Sequence, residues 1–348
     1  MRSPLRSTTL SALQGALLVS LAPVARAQQP LLTPQPSGVT TVLQAVSVVS
    51  ADTVWVSGHR NTLLVTHDGG RQWRRVPVPG DSTRQWRDLH AFSGRSVVLM
   101  SAGTGAASTI VRTDDGGATW RTQFVNADAT GFYDCLAFFS PTEGFAFSDA
   151  VDGRNPVALT RDGEHWSVAR ELLPPSAGSE GAFAASGLCA ITRGARHGWI
   201  VTGAGRVPRV HRTTTAGRLW ETVELPLVQG DGAGATAIAM RDTLVGIAVG
   251  GAIGGTATGP RVALTRDGGR SWRLGGEPTV AGAVYGVTYV PSAPSVAVAV
   301  GPGGAMWSAD DGVRWQSLDA PAYWSVGCAN TICWLAGRDG RITRVEWR

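Results

Sequence analysis

The sequence predicts an all-β protein, a seven-bladed β-propeller of four-stranded antiparallel blades, and three observations carry that prediction. A short phrase ending in tryptophan recurs six times in 348 residues. The intervals between those tryptophans are 47, 46, 54, 52 and 43 residues, the length of one propeller blade. The composition agrees, because 45 Gly and 13 Trp among short apolar runs imply many tight turns between short strands.

The phrase begins as Thr66-His67-Asp68-Gly69-Gly70-Arg71-Gln72-Trp73. It returns as Thr113-Asp114-Asp115-Gly116-Gly117-Ala118-Thr119-Trp120 and as Thr265-Arg266-Asp267-Gly268-Gly269-Arg270-Ser271-Trp272. Ser308 to Trp315 keeps the frame, with Asp310 and Gly312. Thr160 to Trp166 is one residue shorter and keeps Asp162, whereas Thr213 to Trp220 has lost the Asp and the first Gly. An apolar run closing in a small residue precedes most phrases, as in Val54–Gly58, Gly198–Gly203 and Val296–Gly301. A shorter run such as Leu63–Val65 or Val262–Leu264 then leads into the phrase, and an alternating run such as Leu89–Phe92 or Val284–Tyr289 lies upstream. These are strands A, B and C, and the Trp opens strand D.

A seventh unit ends the chain. Trp324–Cys328, Cys333–Gly337 and Arg341–Val345 supply strands A to C, with no phrase and no strand D. Gly38–Val42 precedes the first strand A and is expected to complete the last blade, closing the ring and removing its exposed edges. Six blades is the count if one degenerate unit is miscounted. The expected organisation is a signal peptide over 1–27, a linker over 28–37 and one propeller over 38–348.

The N-terminus reads as an export signal: Arg2 and Arg6, then uncharged apolar text from Leu10 to Leu21, then Ala25-Arg26-Ala27 at the cleavage site. That stretch is too short to span a bilayer, and the mature chain is expected to have no transmembrane segment. All 31 basic residues are Arg, but cleavage after Ala27 removes three of them and lowers the formal net charge from +5 to +2, so nucleic acid is not an expected partner. A secreted or periplasmic location permits disulfides. Cys328 and Cys333 flank an Asn-containing turn and are expected to pair, while the pairing of Cys135 and Cys189 stays open. No Cys/His cluster or nucleotide fingerprint points to a metal or cofactor, and none is expected.

The phrase resembles the Asp-box, or BNR repeat, of sialidase-like propellers. The resemblance implies a structural turn in which Asp68, Asp115, Asp162, Asp267 and Asp310 accept backbone N–H groups, with Gly supplying positive φ. It also implies that Trp73, Trp120, Trp166, Trp220, Trp272 and Trp315 bury their indoles between blades. The wider text, with Gly198-Trp199-Ile200-Val201-Thr202-Gly203 ending a strand B, resembles the photosystem II stability/assembly factor family and its bacterial, non-photosynthetic relatives. That resemblance implies a scaffold or assembly protein rather than an enzyme, and the chain is expected to be a monomer.

Antiparallel order puts the A–B and C–D turns on one face and the B–C and D–A connections on the other. The longest connection, Arg170 to Gly187, contains Pro174, Pro175, Glu180 and Phe183. The B–C loop of the third unit, Asp149 to Asn155, is dense in polar groups, and nearby strand A entrances carry Trp86-Arg87-Asp88 and Tyr133-Asp134. Binding residues usually sit on loops held by a rigid scaffold. The candidate binding residues are therefore Arg87, Asp88, Tyr133, Asp134, Asp149, Asp152, Arg154 and Glu180, although each taken singly also reads as a solvated loop residue or turn cap. Two functions follow: a non-catalytic module binding a protein or glycan partner in the cell envelope, or a sialidase-like glycosidase with Tyr133, Asp149 and Glu180 as its catalytic groups. The Arg-Ile-Pro motif of sialidases is absent. Two carboxylates about 5–10 Å apart in a loop-face cleft would favour the glycosidase.

Overall fold

The computed structural model describes residues 29–253 and 259–347, and the expected signal segment lies outside them. Seven four-stranded antiparallel sheets form seven blades, and among the described residues the helical elements are two short 3-10 turns, Gly105–Ala107 and Arg338–Gly340. The inner strands are Leu43–Val48, Trp86–Ala91, Tyr133–Phe138, Ala190–Arg193, Ala233–Met240, Gly286–Val290 and Tyr323–Ala329. Each packs against the inner strand of the next blade, and the last packs against the first, so the ring is closed.

Closure comes from the N-terminus, but not from Gly38–Val42. The strand completing blade 7 is Leu31–Gln35, which pairs with Ile342–Glu346 from Leu31 opposite Glu346 to Gln35 opposite Ile342. It lies inside the segment expected to be a linker. Pro30, Pro34 and Pro36 give that segment its linker appearance, yet an outermost strand needs ladder hydrogen bonds on one side only and so tolerates Pro34. Gly38–Val42 instead crosses the last turn of blade 7, where Gly340 N–H donates to Thr41 O at 2.7 Å.

The repeated turns share one hydrogen-bond pattern. Thr66 Oγ1 donates to Asp68 Oδ1 at 2.8 Å and accepts from Gly70 N–H at 2.9 Å, while Asp68 Oδ1 accepts from Gln72 N–H at 2.9 Å. The same bonds recur at Asp115, Asp267 and Asp310. The shorter turn keeps the pattern by moving its acceptances to Glu164 and His165 N–H. Where the Asp is lost, Thr215 Oγ1 substitutes as acceptor for Leu219 N–H at 2.8 Å. A carboxylate fed by such donors is stabilised in its charged form, and Asp267 is held down to about 2: burial opposes the shift, and bonds from Ser271 and Thr265 outweigh it.

The six tryptophans of the phrase line the seams between blades, but only Trp315 is buried. The others are half-buried, whereas Trp55, Trp86, Trp199, Trp307 and Trp334 are the fully buried indoles. The phrase sits at the outer rim, where one side of the ring always meets solvent. Trp120 is typical: it packs beside Val76 of the preceding blade and donates Nε1–H to Pro77 O at 2.9 Å. Gly117 lets the blades approach, since a Cβ there would lie 2.1 Å from Val76 and its φ is +88°. Trp120→Ala is expected to cost about 2 kcal/mol in urea denaturation, below the 3–5 typical of a fully buried aromatic, with no change at the ring axis. A loss below about 0.5 kcal/mol would show that the seam does not depend on the indole.

Candidate functional site

The loop face is organised by one repeated backbone irregularity. In five blades the inner strand carries a bulge near its start, so one residue is skipped in the pairing: Gln44, Arg87, Asp134 and Trp324 at the second position of their strands, and Thr236 at the fourth. A bulge re-aims the extra side chain. Four of these side chains turn into a cavity of about 430 Å³ on the ring axis, joined from blade 6 by Tyr285. Thr236 instead donates its hydroxyl to Val284 O and ties blade 5 to blade 6.

The floor of the cavity is the long connection itself. Gln44 Nε2 donates to Ala184 O at 2.5 Å, Asp149 Oδ1 accepts from Ala182 N–H at 3.1 Å, and Ser325 Oγ donates to Ser186 O at 2.8 Å. Leu188 O accepts from Ile238 N–H at 3.0 Å. These partners belong to blades 1, 3, 7 and 5, a reach available only to a segment lying on the axis. The connection therefore plugs the central channel and leaves a pocket above the plug. Gly187 lets it pass blade 2: its φ is +72°, and a Cβ would lie 2.6 Å from Asp88 Oδ1. A disulfide between Cys135 and Cys189 pins the end of the plug to the inner strand of blade 3, and a second joins Cys328 and Cys333 within a blade 7 hairpin.

Glu180 holds the start of the plug. It is fully buried and accepts from Arg209 Nε at 2.8 Å, Thr202 Oγ1 at 2.7 Å and Ala177 N–H at 2.9 Å, with His211 Nε2 at 3.3 Å. Burial pushes its pKa up, but the bonds from His211 and Arg209 win and hold it at about 2. Burial lowers the His211 pKa, so a neutral ring donates Nε2–H to the carboxylate while Nδ1 faces the Thr222 hydroxyl at 2.8 Å.

The pocket wall combines one cation, one acid pair and aromatic rings. Arg87 donates Nε–H and one Nη2–H to Gln85 Oε1 at 2.9 and 2.6 Å, and no carboxylate among the described residues lies within ion-pair distance of it. Asp134 is 1% exposed, and its Oδ2 accepts from no donor. Burial, reinforced by the charge of Asp149, holds Asp134 well above the usual carboxylate range, and burial pushes Asp149 up to about 6. The two titrate as a pair with one proton between them near neutrality. His59 meets Gln44 Oε1 at 2.6 Å and is kept neutral by burial and by the charge of Arg87. Phe132, Phe183, Tyr285 and Trp324 supply the apolar wall. Two neighbouring cavities continue the pocket into a groove. One, of about 460 Å³, joins it at Val42 and His59; the other, of about 500 Å³, joins it at Ser179 and Ala204.

Of the residues marked from sequence, the structure brings Arg87, Asp134 and Asp149 together in this pocket. Asp88 lies behind the wall, accepting Leu89 and Leu136 N–H at 2.7 and 2.6 Å, and so links blade 2 to blade 3. Tyr133 is buried edge-on to Phe124, and Glu180 is beneath the floor. Asp152 is an exposed turn residue with φ 52°, and Arg154 pairs with Glu171 at 3.0 Å. Tyr133, Asp149 and Glu180 thus do not share a cleft. Gln44, His59, Tyr285 and Trp324 had not been marked. Aligning the units on strand A places Gln44, Arg87, Asp134, Tyr285 and Trp324 in equivalent positions, which is the signal that could have found three of them.

No protein family and no curated protein matches the sequence. Solved structures do share its architecture. "YCF48 bound to D1 peptide" is 15% identical with a TM-score of 0.63, covering 92% of this chain and 96% of that one. "YCF48 from Cyanidioschyzon merolae" is 15% identical with a TM-score of 0.65, covering 90% and 98%. The Niastella koreensis GH74 enzyme is 13% identical with a TM-score of 0.58, covering 81% of this chain and 47% of that one. At such identities the likeness establishes the fold: this chain is similar to these proteins in being a seven-bladed propeller.

Proposed function

We propose that this protein is an exported, non-catalytic propeller that binds an extended segment of a protein partner in the cell envelope through its axial pocket and groove. The observation that carries the reading is the pocket: about 430 Å³ at the centre of the loop face, with unpaired polar groups on an aromatic wall. A groove running off both sides of it suits a chain rather than a compact ligand. The architecture it shares with YCF48 bound to D1 peptide supports the same reading. Export is supported by the N-terminal text and the two disulfides. The repeated turns are read as Asp-boxes with a structural role, since their carboxylates are spent on their own turns.

The glycosidase reading has less support. Of the three groups it needs, only Asp149 lines the pocket, since Tyr133 is buried against Phe124 and Glu180 is held by Arg209 and Thr202. The test is selection of displayed random peptides on the mature protein, followed by affinity measurements on Arg87→Ala and Trp324→Ala. Each variant is expected to lose at least about tenfold in affinity for selected peptides, while Trp120→Ala loses none. Hydrolysis of aryl-glycosides without peptide selection would overturn the proposal.

A further inference from the structure

We propose that the axial pocket is a carboxamide subsite, taking the side chain of an Asn or Gln residue with its oxygen on Arg87 and its NH₂ on the Asp134–Asp149 pair. This rests on the peptide-binding reading above.

The argument begins with what the pocket leaves unsatisfied. Apart from the proton it shares with Asp149, buried Asp134 Oδ2 has no hydrogen-bond donor, and Arg87 keeps N–H groups beyond the two that Gln85 takes. An unpaired buried polar group is costly, so the ligand that binds best supplies both an acceptor and a donor. Net charge decides between the classes that could do so. One guanidinium faces one proton-sharing acid pair, and the pocket is close to neutral at pH 7. A carboxylate would satisfy Arg87 but meet the charge on Asp149, and an ammonium would satisfy the acids but meet Arg87. Either would bring an uncompensated charge into a desolvated site. A carboxamide carries no charge and presents acceptor and donor in one plane, with Phe132 and Phe183 on the pocket wall for its apolar flanks. A pyranose also carries both kinds of group but stacks on an open indole face. Arg338 lies over the Trp324 ring at 5.4 Å, and the Tyr285 ring meets it at 5.8 Å in a T-shaped contact.

The polar and titratable groups that line the pocket with the acid pair are Arg87 from blade 2, Gln44 and His59 from blade 1 and Tyr285 from blade 6, and the Ala182 N–H of the plug donates to Asp149. Glu180 faces away, toward Arg209 and His211. Asp149 is therefore the group whose charge balances Arg87. Its removal, by Asp149→Asn or by protonation near pH 5, leaves the pocket cationic and converts it to a carboxylate site.

The test titrates the mature protein with N-acetyl-glutamine methylamide, the matching glutamate and lysine compounds, and methyl β-D-glucopyranoside. Binding is read from the NMR signals of the Trp324 indole N–H and the Arg87 Nε–H. At pH 7.5 the glutamine probe is expected to bind about tenfold more tightly than the glutamate or lysine probe. In Asp149→Asn at pH 7.5, and in the unaltered protein at pH 5, the glutamate probe is expected to overtake it. The pH measurement needs no substitution, so a misfolded variant does not spoil the test. If the glutamate, lysine or glucoside probe binds most tightly to the unaltered protein at pH 7.5, the carboxamide assignment is overturned while the pocket stands as a site. If no probe moves either signal but a display-selected peptide does, the assignment again falls alone. If neither probes nor selected peptides move them, the peptide-binding reading falls with it.

Discussion

Glu180→Ala is expected to destabilise the protein by about 3–5 kcal/mol, the loss usual when one member of a buried ion pair is removed. The alanine leaves the Arg209 guanidinium with Pro175 O but no carboxylate, and strips Thr202, Ala177 N–H and His211 of their shared acceptor. Glu180→Gln keeps an acceptor but not the charge and should fall between the two. The same carboxylate sets a pH window. Its pKa is about 2 in the folded protein and 4.5 in the unfolded chain, so its contribution is complete above about 4.5 and is lost as pH falls toward 2. The denaturant midpoint of the unaltered protein should therefore fall across that window more steeply than that of Glu180→Ala. A loss below about 1 kcal/mol for the alanine variant, or parallel acid limbs, would show that the network does not hold the plug.

The second large effect concerns the disulfides. Cys135 and Cys189 are 54 residues apart, and on chain-entropy grounds closing such a loop stabilises the fold by about 4 kcal/mol. Cys328 and Cys333 are 5 apart, which makes that bond worth about 2 kcal/mol by the same relation. Cys135→Ala with Cys189→Ala should then lower stability about twice as much as Cys328→Ala with Cys333→Ala. It should also weaken binding at the axial pocket, because the long bond anchors the plug that forms the floor. Equal losses in guanidinium unfolding, with no effect on selected peptides, would refute that coupling.

Much of the architecture was legible because six of the seven blades solve the same problem with nearly the same residues. A Thr or Ser, an Asp and a Gly close one hairpin by short-range hydrogen bonds, so the solution is written locally and can be counted. Even its exception obeys local chemistry, with Thr215 standing in for the carboxylate. The closing strand was misplaced because its evidence is non-local: Leu31–Gln35 is a strand only because Ile342–Glu346 offers it an edge. The seam tryptophans were read as more buried than they are, because repetition marks a slot and says nothing of its depth.

The site was legible in part. Arg87, Asp134 and Asp149 were marked as polar residues at strand entrances and loops, and those positions do converge. Asp88 and Glu180 looked equally available, yet both are buried acceptors of the scaffold. Residues adjacent in sequence can point to opposite sides of a sheet, and a single bulge decides that Arg87 faces the pocket while Asp88 faces the core.

By itself, then, the sequence determined the repeat and the all-β architecture, because these depend on turns whose partners lie within a few residues of one another, and its strand pattern pointed to a seventh blade where the turn is missing. Tertiary structure alone decided that the longest connection becomes a plug on the axis and that Glu180 serves the fold. It also decided that Arg87, Asp134 and Asp149 meet Tyr285 and Trp324 in one pocket. Those facts require residues from all seven blades to converge on the ring axis, and no spacing along the chain measures distance across a closed ring.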